Sequence, residues 1–396
     1  MRCAATAYNM ITVRFVPYHR GMTERTRLRA LIKELRQLSV PALLVTNLPD
    51  VRYLTGFTGS NAALVVLAGA RASSRLFTDG RYTAQAKQQV QEATVRIAPK
   101  SALAEACAFA AESGAARCGF DRAHTTVLAL SSMRSAARKA GAPGGFFVPC
   151  DGAVAKLRAV KDVAEIATMR RAADLTCSLY EGMLAWIEPG MRERDVAAEL
   201  EHRARLAGSE SMSFETIVAA GERSSLPHAR ATDAKLQPGD LLTLDFGVVL
   251  DGYCSDMTRT VAIGYPGIVP PRHRSRWAQQ REVFEAVLAA QQAAVRAVRA
   301  GVTCGAVDEA ARSVLAAAGW KKEFSHSTGH GVGLEIHESP RVGKDQTEVL
   351  RAGMVITIEP GVYLPGRFGV RIEDTVVVTD EGADVLTPAH KGWMEL

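Results

Sequence analysis

Two aspartates in the middle of the chain lie on either side of a predicted β-hairpin. Two β-rich runs flank Asp251-Gly252, a dipeptide typical of a two-residue hairpin turn. With that turn, Gly247 lies opposite Asp256, and Asp245 points to the same face as Gly247. Asp245 and Asp256 are then diagonal neighbours on one sheet face. Two carboxylates in such apolar strands repel each other unless a cation lies between them, and a solvated face is the alternative.

Two glutamates in the last third of the chain repeat this arrangement. Glu359 follows the apolar run 354–358, and Glu373 lies inside the run 370–378, which is predicted to be the next strand. Because Pro360-Gly361 ends the first strand, the two strands are predicted to be antiparallel. A lone glutamate in such apolar surroundings is strongly unfavourable, and metal ligation is the simplest compensation.

Three histidines lie within twelve positions between these segments: His326, His330 and His337. The glycines among them argue against a regular helix and let backbone approach a site closely. A structural zinc site would usually contain cysteines or compact histidine pairs. The implied set of four carboxylates and one imidazole suits manganese or cobalt better. Four negative charges also balance two divalent cations, which together can activate water as a nucleophile and stabilise an oxyanion.

The second half of the chain contains an internal repeat. Segments 189–208 and 300–319 align without gaps, each predicts a helix that ends at glycine, and each leads into a strand-rich stretch with histidine. We interpret this as a duplication, with two helix-plus-strand halves around one cleft. A long helix is also predicted near Asp162, and an amphipathic helix over 279–299.

The N-terminal third alternates helices and strands and therefore predicts an α/β domain. A helix is predicted after Met22, followed by a strand at 42–45, a turn at 47–50, the segment 51–57 and strands at 62–67 and 76–78. A cluster of glycines and prolines between 141 and 152 ends this domain. The predicted division is an extension at 1–21, an N-terminal domain at 22–152 and a catalytic domain at 153–396.

Composition excludes several classes of protein. A chain of 396 residues, 47% hydrophobic and 23% charged, is typical of a soluble protein of about two domains. No apolar run approaches the roughly 20 residues of a membrane span. The 48 basic and 42 acidic residues are scattered, which argues against nucleic-acid binding. Seven widely spaced cysteines without a CxxC motif indicate reduced thiols, and so a cytoplasmic protein.

The first 21 residues contain arginines and no acidic residue. Such a start is compatible with a transit peptide. The alternative, which we favour, is that Met22 is the true start, because the first clean helical pattern begins there.

These segments resemble the pita-bread metallopeptidase family, which includes aminopeptidase P, prolidase and methionine aminopeptidase. The resemblance runs from Met22 to the last strand. It implies an α/β N-terminal domain and an α+β pita-bread catalytic domain with an internal pseudo-two-fold repeat. The metal ligands of the family fall on Asp245, Asp256, His330, Glu359 and Glu373. By this resemblance Asp256 and Glu373 bridge two divalent ions, Asp245 holds one, and His330 with Glu359 holds the other. Manganese is expected, with cobalt or zinc as alternatives, and so is a homodimer.

Further positions resemble the proline-directed branch of the family. His228, in Leu226-Pro227-His228, matches the histidine expected near the scissile bond, and His337 is placed to hydrogen-bond the substrate carbonyl. The residues that resemble a proline pocket are His326, Tyr363 and Arg371. The stretch 51–60 looks like the N-terminal domain of aminopeptidase P and prolidase, which methionine aminopeptidases usually lack.

The expected reaction is hydrolysis of the bond before proline in peptides with proline second. That bond has no N–H for other proteases to grip. Glu359 is expected to act as general base and then as general acid. Aminopeptidase P is favoured because the chain is compact, and a dipeptide-only prolidase is the alternative. A creatinase-like hydrolase without metal and a non-catalytic binding protein are disfavoured, because no ligand is missing.

Overall fold

The computed structural model describes residues 23–69, 72–265, 267 and 274–396. The predicted extension at 1–21 lies outside the described residues. The N-terminal elements are α1 (Glu24–Gln37), β1 (Ala42–Val45), α2 (Leu48–Thr55), β2 (Ala62–Leu67), β3 (Ser73–Thr78), α3 (Thr83–Gln89), β4 (Thr94–Ile97), α4 (Ala102–Glu112), β5 (Cys118–Asp121), α5 (Val127–Lys139), β6 (Phe147–Cys150) and α6 (Ala153–Arg158). A short 3₁₀ helix, Gly80–Tyr82, precedes α3.

A mixed six-stranded sheet lies between two layers of helices in this part of the chain. Its strand order is β4-β3-β2-β1-β5-β6, in which β2 is antiparallel to both of its neighbours and the other neighbouring pairs are parallel. Because side chains alternate along a strand, Leu64 of β2 belongs to the core that includes Leu31 of α1, whereas Val65 belongs to the core on the other face, which includes Ala106 of α4. The predicted α/β class is confirmed.

The predicted turn at 47–50 is wrong, because α2 begins there. Asn47 occupies the N-cap position, and Pro49 follows in the first turn, where its missing N–H leaves no helical hydrogen bond unmade. The helix ends at Gly56, whose φ of 74° is the left-handed conformation that favours glycine. The helical segment buries Tyr53 and Leu54.

From residue 163 on, the described residues form four long helices and many short strands. The elements of this part are α7 (Val163–Leu184), α8 (Glu193–Leu206), β7 (Ser211–Met212), β8 (Ile217–Ala220), β9 (Leu241–Phe246), β10 (Val248–Leu250), β11 (Tyr253–Cys254), β12 (Met257–Ala262), α9 (Arg274–Ala297), α10 (Cys304–Ala317), β13 (Gly329–Gly331), β14 (Glu338–Val342), β15 (Val355–Ile358), β16 (Gly361–Leu364), β17 (Phe368–Arg371), β18 (Asp374–Val378) and β19 (Ala383–Val385). A 3₁₀ helix, Gly221–Ser225, follows β8. No helix in the described ranges is long and apolar enough to cross a membrane.

The internal repeat is confirmed in the structure. Helices α8 and α10 are both 14 residues long and occupy the same positions of the two aligned segments. Each is followed by a glycine of positive φ, Gly208 at 96° and Gly319 at 88°. The residue before each helix forms an antiparallel bridge, Arg192 with Lys235 ahead of β9 and Thr303 with Val349 ahead of β15. The catalytic part therefore consists of two similar halves with pseudo-two-fold symmetry.

The two halves are joined along their inner strands. Helices α7 and α8 cover β8, β9 and β12, whereas α9 and α10 cover β15, β17 and β18. Across the junction, the Thr260 hydroxyl donates to the Arg371 carbonyl over 2.8 Å, and the Glu373 amide donates to the Thr258 carbonyl over 3.1 Å. The inner ends of β12, β15 and β18 therefore line one cleft.

Candidate metal centre and active site

The first pair of carboxylates is positioned by the hairpin that the sequence predicts. The turn forms at Asp251-Gly252, where both residues have positive φ, 48° and 79°, as a type I′ turn requires. The register between β9 and β12 pairs Asp245 with Thr258. Asp256, two residues before Thr258, therefore points to the same face as Asp245, and the predicted register is confirmed.

The second pair of carboxylates lies where β15 ends and β18 begins. The two strands are antiparallel, as predicted, and Ile358 pairs with Asp374. Continuing this register by one residue places Glu359 opposite Glu373. One detail differs from the prediction: Glu373 is not inside a strand, because β17 ends at Arg371 and β18 begins at Asp374. The chain passes between two sheets at this point, and the break aims Glu373 into the cleft.

His330 lies in β13 with one ring nitrogen fixed by the backbone. Its Nδ1 is 3.0 Å from the Gly331 carbonyl, which can only accept, so Nδ1 carries the proton. The lone pair of Nε2 then faces Glu359 Oε1 at 3.4 Å and Asp256 Oδ2 at 3.7 Å. Fixing the tautomer through Nδ1 is the usual way in which proteins prepare a histidine for a metal.

The residues in this cleft fit a divalent metal. One donor atom each from Asp256, His330 and Glu373 lies within 4.8 Å of the others. Glu373 Oε1 is buried without a hydrogen-bond partner, which is costly unless a cation contacts it. Burial raises the pKa of Asp256 well above its usual range, and the charges of Glu373, Asp245 and Glu359 raise it further. All four carboxylates thus belong to one electrostatic cluster.

Asp245 and Arg371 form a buried ion pair within this cluster. The Arg371 guanidinium donates to Asp245 Oδ2 over 2.5 Å and to the Tyr363 hydroxyl over 2.7 Å. Tyr363 is also 2.9 Å from His326 Nε2, and His326 Nδ1 is 2.8 Å from the Ser327 carbonyl. Because that carbonyl accepts, Nδ1 carries the proton and Nε2 accepts from Tyr363. The result is one chain of hydrogen bonds, which we call the relay, in which Arg371 donates to Tyr363 and Tyr363 donates to His326.

The neutral imidazole of His326 suits this relay. Burial lowers the pKa of His326 to about 4, and the charge of Arg371 lowers it as well. The structure thus brings together the three side chains predicted to line the proline side of the cleft.

His228 and His337 lie at the exposed opening of the same cleft. The His337 ring centroid is 4.4 Å from that of His330, at an interplanar angle of 70°. Burial lowers the pKa of His337, and the charge of His228 lowers it further. The residues before His337 do not form a strand, because β14 begins only at Glu338. His337 therefore lies in the loop 332–337.

Three threonines that the sequence analysis missed hold the predicted ligands. Thr258 donates to Glu373 Oε2 over 2.8 Å, and Thr357 donates to Glu359 Oε1 over 3.2 Å. Thr375 donates to the Asp256 carbonyl over 2.8 Å. Each threonine is two residues from a predicted ligand along the chain. Because alternate residues of a strand share a face, that spacing is the signal that predicts them.

A cluster of buried carboxylates and one imidazole, in the cleft of a pita-bread fold, defines a metallopeptidase. Residues 167–380 match metallopeptidase family M24, and residues 27–160 match the Creatinase/Prolidase N-terminal domain. The chain belongs to metallopeptidase family M24, and its catalytic domain is that of a divalent-metal hydrolase.

Similar proteins match over nearly the whole chain. The Xaa-Pro dipeptidase of Pyrococcus horikoshii is 33% identical over 377 residues, which cover 92% of this chain and 97% of the relative. The structure of an Xaa-Pro dipeptidase from Bacillus anthracis has a TM-score of 0.86 at 35% identity, covering 94% of this chain and all of that one. The structure of an X-Pro aminopeptidase from Thermotoga maritima has a TM-score of 0.80 at 32% identity, and the match covers 93% of this chain and 99% of that one.

Proposed function

We propose that this protein is a prolidase, a metal-dependent hydrolase of Xaa-Pro dipeptides. The observation that carries the metallopeptidase assignment is the convergence of Asp256, His330 and Glu373 within 4.8 Å. The dipeptide preference is supported by relatives named Xaa-Pro dipeptidase, which match over the full chain. This departs from the expectation of aminopeptidase P, which the compactness of the chain alone had favoured. Aminopeptidase P remains the second candidate, because the Thermotoga maritima enzyme is similar over the same length.

The proposed centre holds two divalent ions, which we expect to be manganese. Asp256 and Glu373 would contact both ions, Asp245 one of them, and His330 with Glu359 the other. Four carboxylates and one imidazole form an oxygen-rich donor set that suits manganese. When bound, the ions supply an activated water and neutralise charge that develops on the scissile carbonyl. Arg371 holds Asp245 in place by its short ion pair.

Glu359 is the carboxylate best placed to move a proton. Its side chain is 18% exposed, against 6% for Asp256, so it borders the space that a substrate enters. The Thr357 hydroxyl orients its Oε1. We propose that Glu359 takes a proton from the attacking water and delivers it to the departing proline nitrogen.

We propose that His228 and His337, the two histidines at the opening of the cleft, contact the substrate. His337 would donate to the scissile carbonyl oxygen as charge develops there in the transition state, and His228 would lie near the scissile bond. The relay of His326, Tyr363 and Arg371 forms the side of the cleft assigned to the proline ring. The scissile nitrogen of an Xaa-Pro bond carries no hydrogen, so binding leaves no N–H of that bond without a partner.

The test compares substrates of different length with the manganese-loaded protein. We expect kcat/KM for Ala-Pro to exceed that for Ala-Pro-Ala by about tenfold or more, a difference of about 1.4 kcal/mol in transition-state binding. Ala-Ala serves as the control for proline. Faster cleavage of the tripeptide would establish aminopeptidase P instead, and no cleavage of either proline peptide would refute the assignment.

Two further predictions come from the sequence. The resemblance predicts a homodimer, which light scattering after gel filtration would measure. The cysteine pattern predicts a cytoplasmic protein, and the six cysteines among the described residues are free thiols.

A further inference from the structure

A buried cluster of charges joins the N-terminal domain to the loop that carries His337. We call it the junction cluster, and it consists of Asp50, Arg158, Lys161, Glu335 and Glu338. Arg158 donates to Asp50 Oδ1 over 2.7 Å and to Glu338 Oε1 over 2.5 Å, and it lies 2.9 Å from Glu335 Oε2. Lys161 donates to Glu338 Oε2 over 3.1 Å. Apart from Glu335, each of these side chains is at most 6% exposed.

Glu338 folds back beneath the loop 332–337. Its Oε1 accepts from the Glu335 amide over 3.1 Å, so one carboxylate closes the loop on itself. Its oxygens lie 2.6 Å from where a Cβ on Gly333 would be, a space that only glycine leaves open. Leu334, at the tip, packs against the core formed by α1 and α2. Burial by itself would raise the pKa of Glu338, but the charges of Lys161 and Arg158 lower it overall, so the carboxylate is ionised.

The imidazole of His337 depends on its backbone for its position. Within the described residues no hydrogen bond holds the ring, and the side chain is exposed at the opening of the cleft. The next residue along the chain is Glu338, whose carboxylate is fixed by Arg158 and Lys161. A movement of Glu338 therefore moves the imidazole relative to His330.

We propose that Asp50, Arg158 and Glu338 are positioning residues for His337, through which the N-terminal domain sets the geometry of the active site. This inference rests on the proposed role of His337 toward the substrate carbonyl. Asp50 lies on α2 and touches nothing in the cleft, so it acts only through Arg158. A donor must be held within about 0.5 Å of its productive position, and a 1 Å error costs up to about 10²-fold in rate. The junction cluster supplies that restraint.

A double-mutant cycle tests the proposal in the manganese-loaded full chain. Asp50→Asn keeps the shape of the side chain but removes its charge, and we expect it to lower kcat/KM for Ala-Pro by about tenfold with unchanged metal content. In the His337→Ala background the same substitution should change the residual rate by less than about twofold, because no imidazole remains to be positioned. A tenfold loss in both backgrounds would overturn the proposal. Asp151→Asn removes an exposed ion pair to Arg122 and is the matched control.

A spectroscopic measurement tests the same inference without turnover. In protein labelled with ¹³C at histidine, the His337 ring signal is the one that His337→Ala removes. We expect Asp50→Asn to shift that signal and to leave the His326 signal in place. An unchanged His337 signal would overturn the inference. If the parent cleaves no Xaa-Pro peptide, the proposed function fails, and this measurement still decides the positioning role.

A second variant covers the case in which Asp50→Asn does not fold. Glu338→Gln leaves Asp50 and Glu335 to neutralise Arg158, so the buried guanidinium keeps counter-charges. It should show the same loss of rate and the same dependence on His337. Asp50→Glu, which restores the charge, should recover most of the rate, whereas a merely structural role predicts no such rescue.

Discussion

Glu359 and Glu373 are each one residue beyond the last pair of the β15–β18 ladder, Ile358 with Asp374, so both carboxylates lie at the same end of that strand pair. Burial raises the pKa of both carboxyls, that of Glu359 to about 7, and the charge of Glu359 raises that of Glu373 further. Two neighbouring carboxylates at this end of the strand pair repel each other unless one of them takes up a proton or a cation lies between them.

The first prediction concerns the linkage between Glu373, metal and stability. Glu373→Gln keeps the shape of the side chain but removes one buried negative charge. In chelator-treated protein we expect the variant to be at least as stable as the parent. With metal at about 100 times the dissociation constant, the parent should gain about 2.7 kcal/mol in unfolding free energy and the variant almost nothing. Denaturant unfolding and elemental analysis measure both effects. Equal stabilisation of the two proteins by manganese would contradict the metal role.

The second prediction concerns the pH dependence that His326 contributes. Its pKa is about 4 in the folded protein, against 6.5 for a free imidazole, so between these values the unfolded chain binds more protons. Stability from this group is therefore present above pH 6.5 and is lost as the pH falls toward 4, by about 3 kcal/mol in all. His326→Gln should lose less stability than the parent over this range, whereas His202→Gln, on an exposed face of α8, should behave as the parent does. Identical curves for parent and His326→Gln would show that the imidazole is not held neutral.

The third prediction separates a metal ligand from a transition-state donor. His337→Ala should keep its metal content and stability but lose about 10²–10³ in kcat and in kcat/KM together, because the lost hydrogen bond exists mainly in the transition state. His330→Ala should lose metal as well as rate. Steady-state kinetics and metal analysis of the two variants make the comparison. Missing metal in His337→Ala, or a raised KM alone, would show that the assigned role is wrong.

The fourth prediction concerns the close approach of strands at Gly329. A Cβ there would lie 1.9 Å from the Thr357 carbonyl oxygen and 2.9 Å from its hydroxyl. Thr357 orients both Glu359 and the His330 amide. We therefore expect Gly329→Ala to cost roughly 1–3 kcal/mol in unfolding free energy and to weaken metal binding. Gly144→Ala, with nothing within 4 Å of its Cβ, is the matched control and should change stability by less than about 0.5 kcal/mol. Metal affinity equal to that of the parent would rule out this role of Gly329.

Much of the metal centre follows from the sequence because its parts are local. The turn at Asp251-Gly252 fixes the register of its hairpin, and period-two alternation then places Asp245 and Asp256 on one face. The repeat of α8 and α10 is likewise visible as an ungapped alignment of two segments that end in glycine. In each case the residues that carry the pattern lie close together in the sequence, within one helix or one pair of strands.

Other features depend on contacts between distant segments, which no local pattern encodes. The segment predicted as a turn is instead the start of helix α2, because the apolar face of α2 is buried against α1 and β2. This tertiary packing outweighs the turn propensity of the residues at the start of the helix. The break at Glu373 exists because the chain passes between two sheets. The junction cluster joins Asp50 to Glu338, 288 residues later in the chain, and single charges at such separation show no period or spacing. The sequence by itself determined the ligand types, the hairpin and the duplication, whereas only the tertiary structure decided which charges meet across the domain boundary, since burying a charge is tolerated only where folding brings its partner to it.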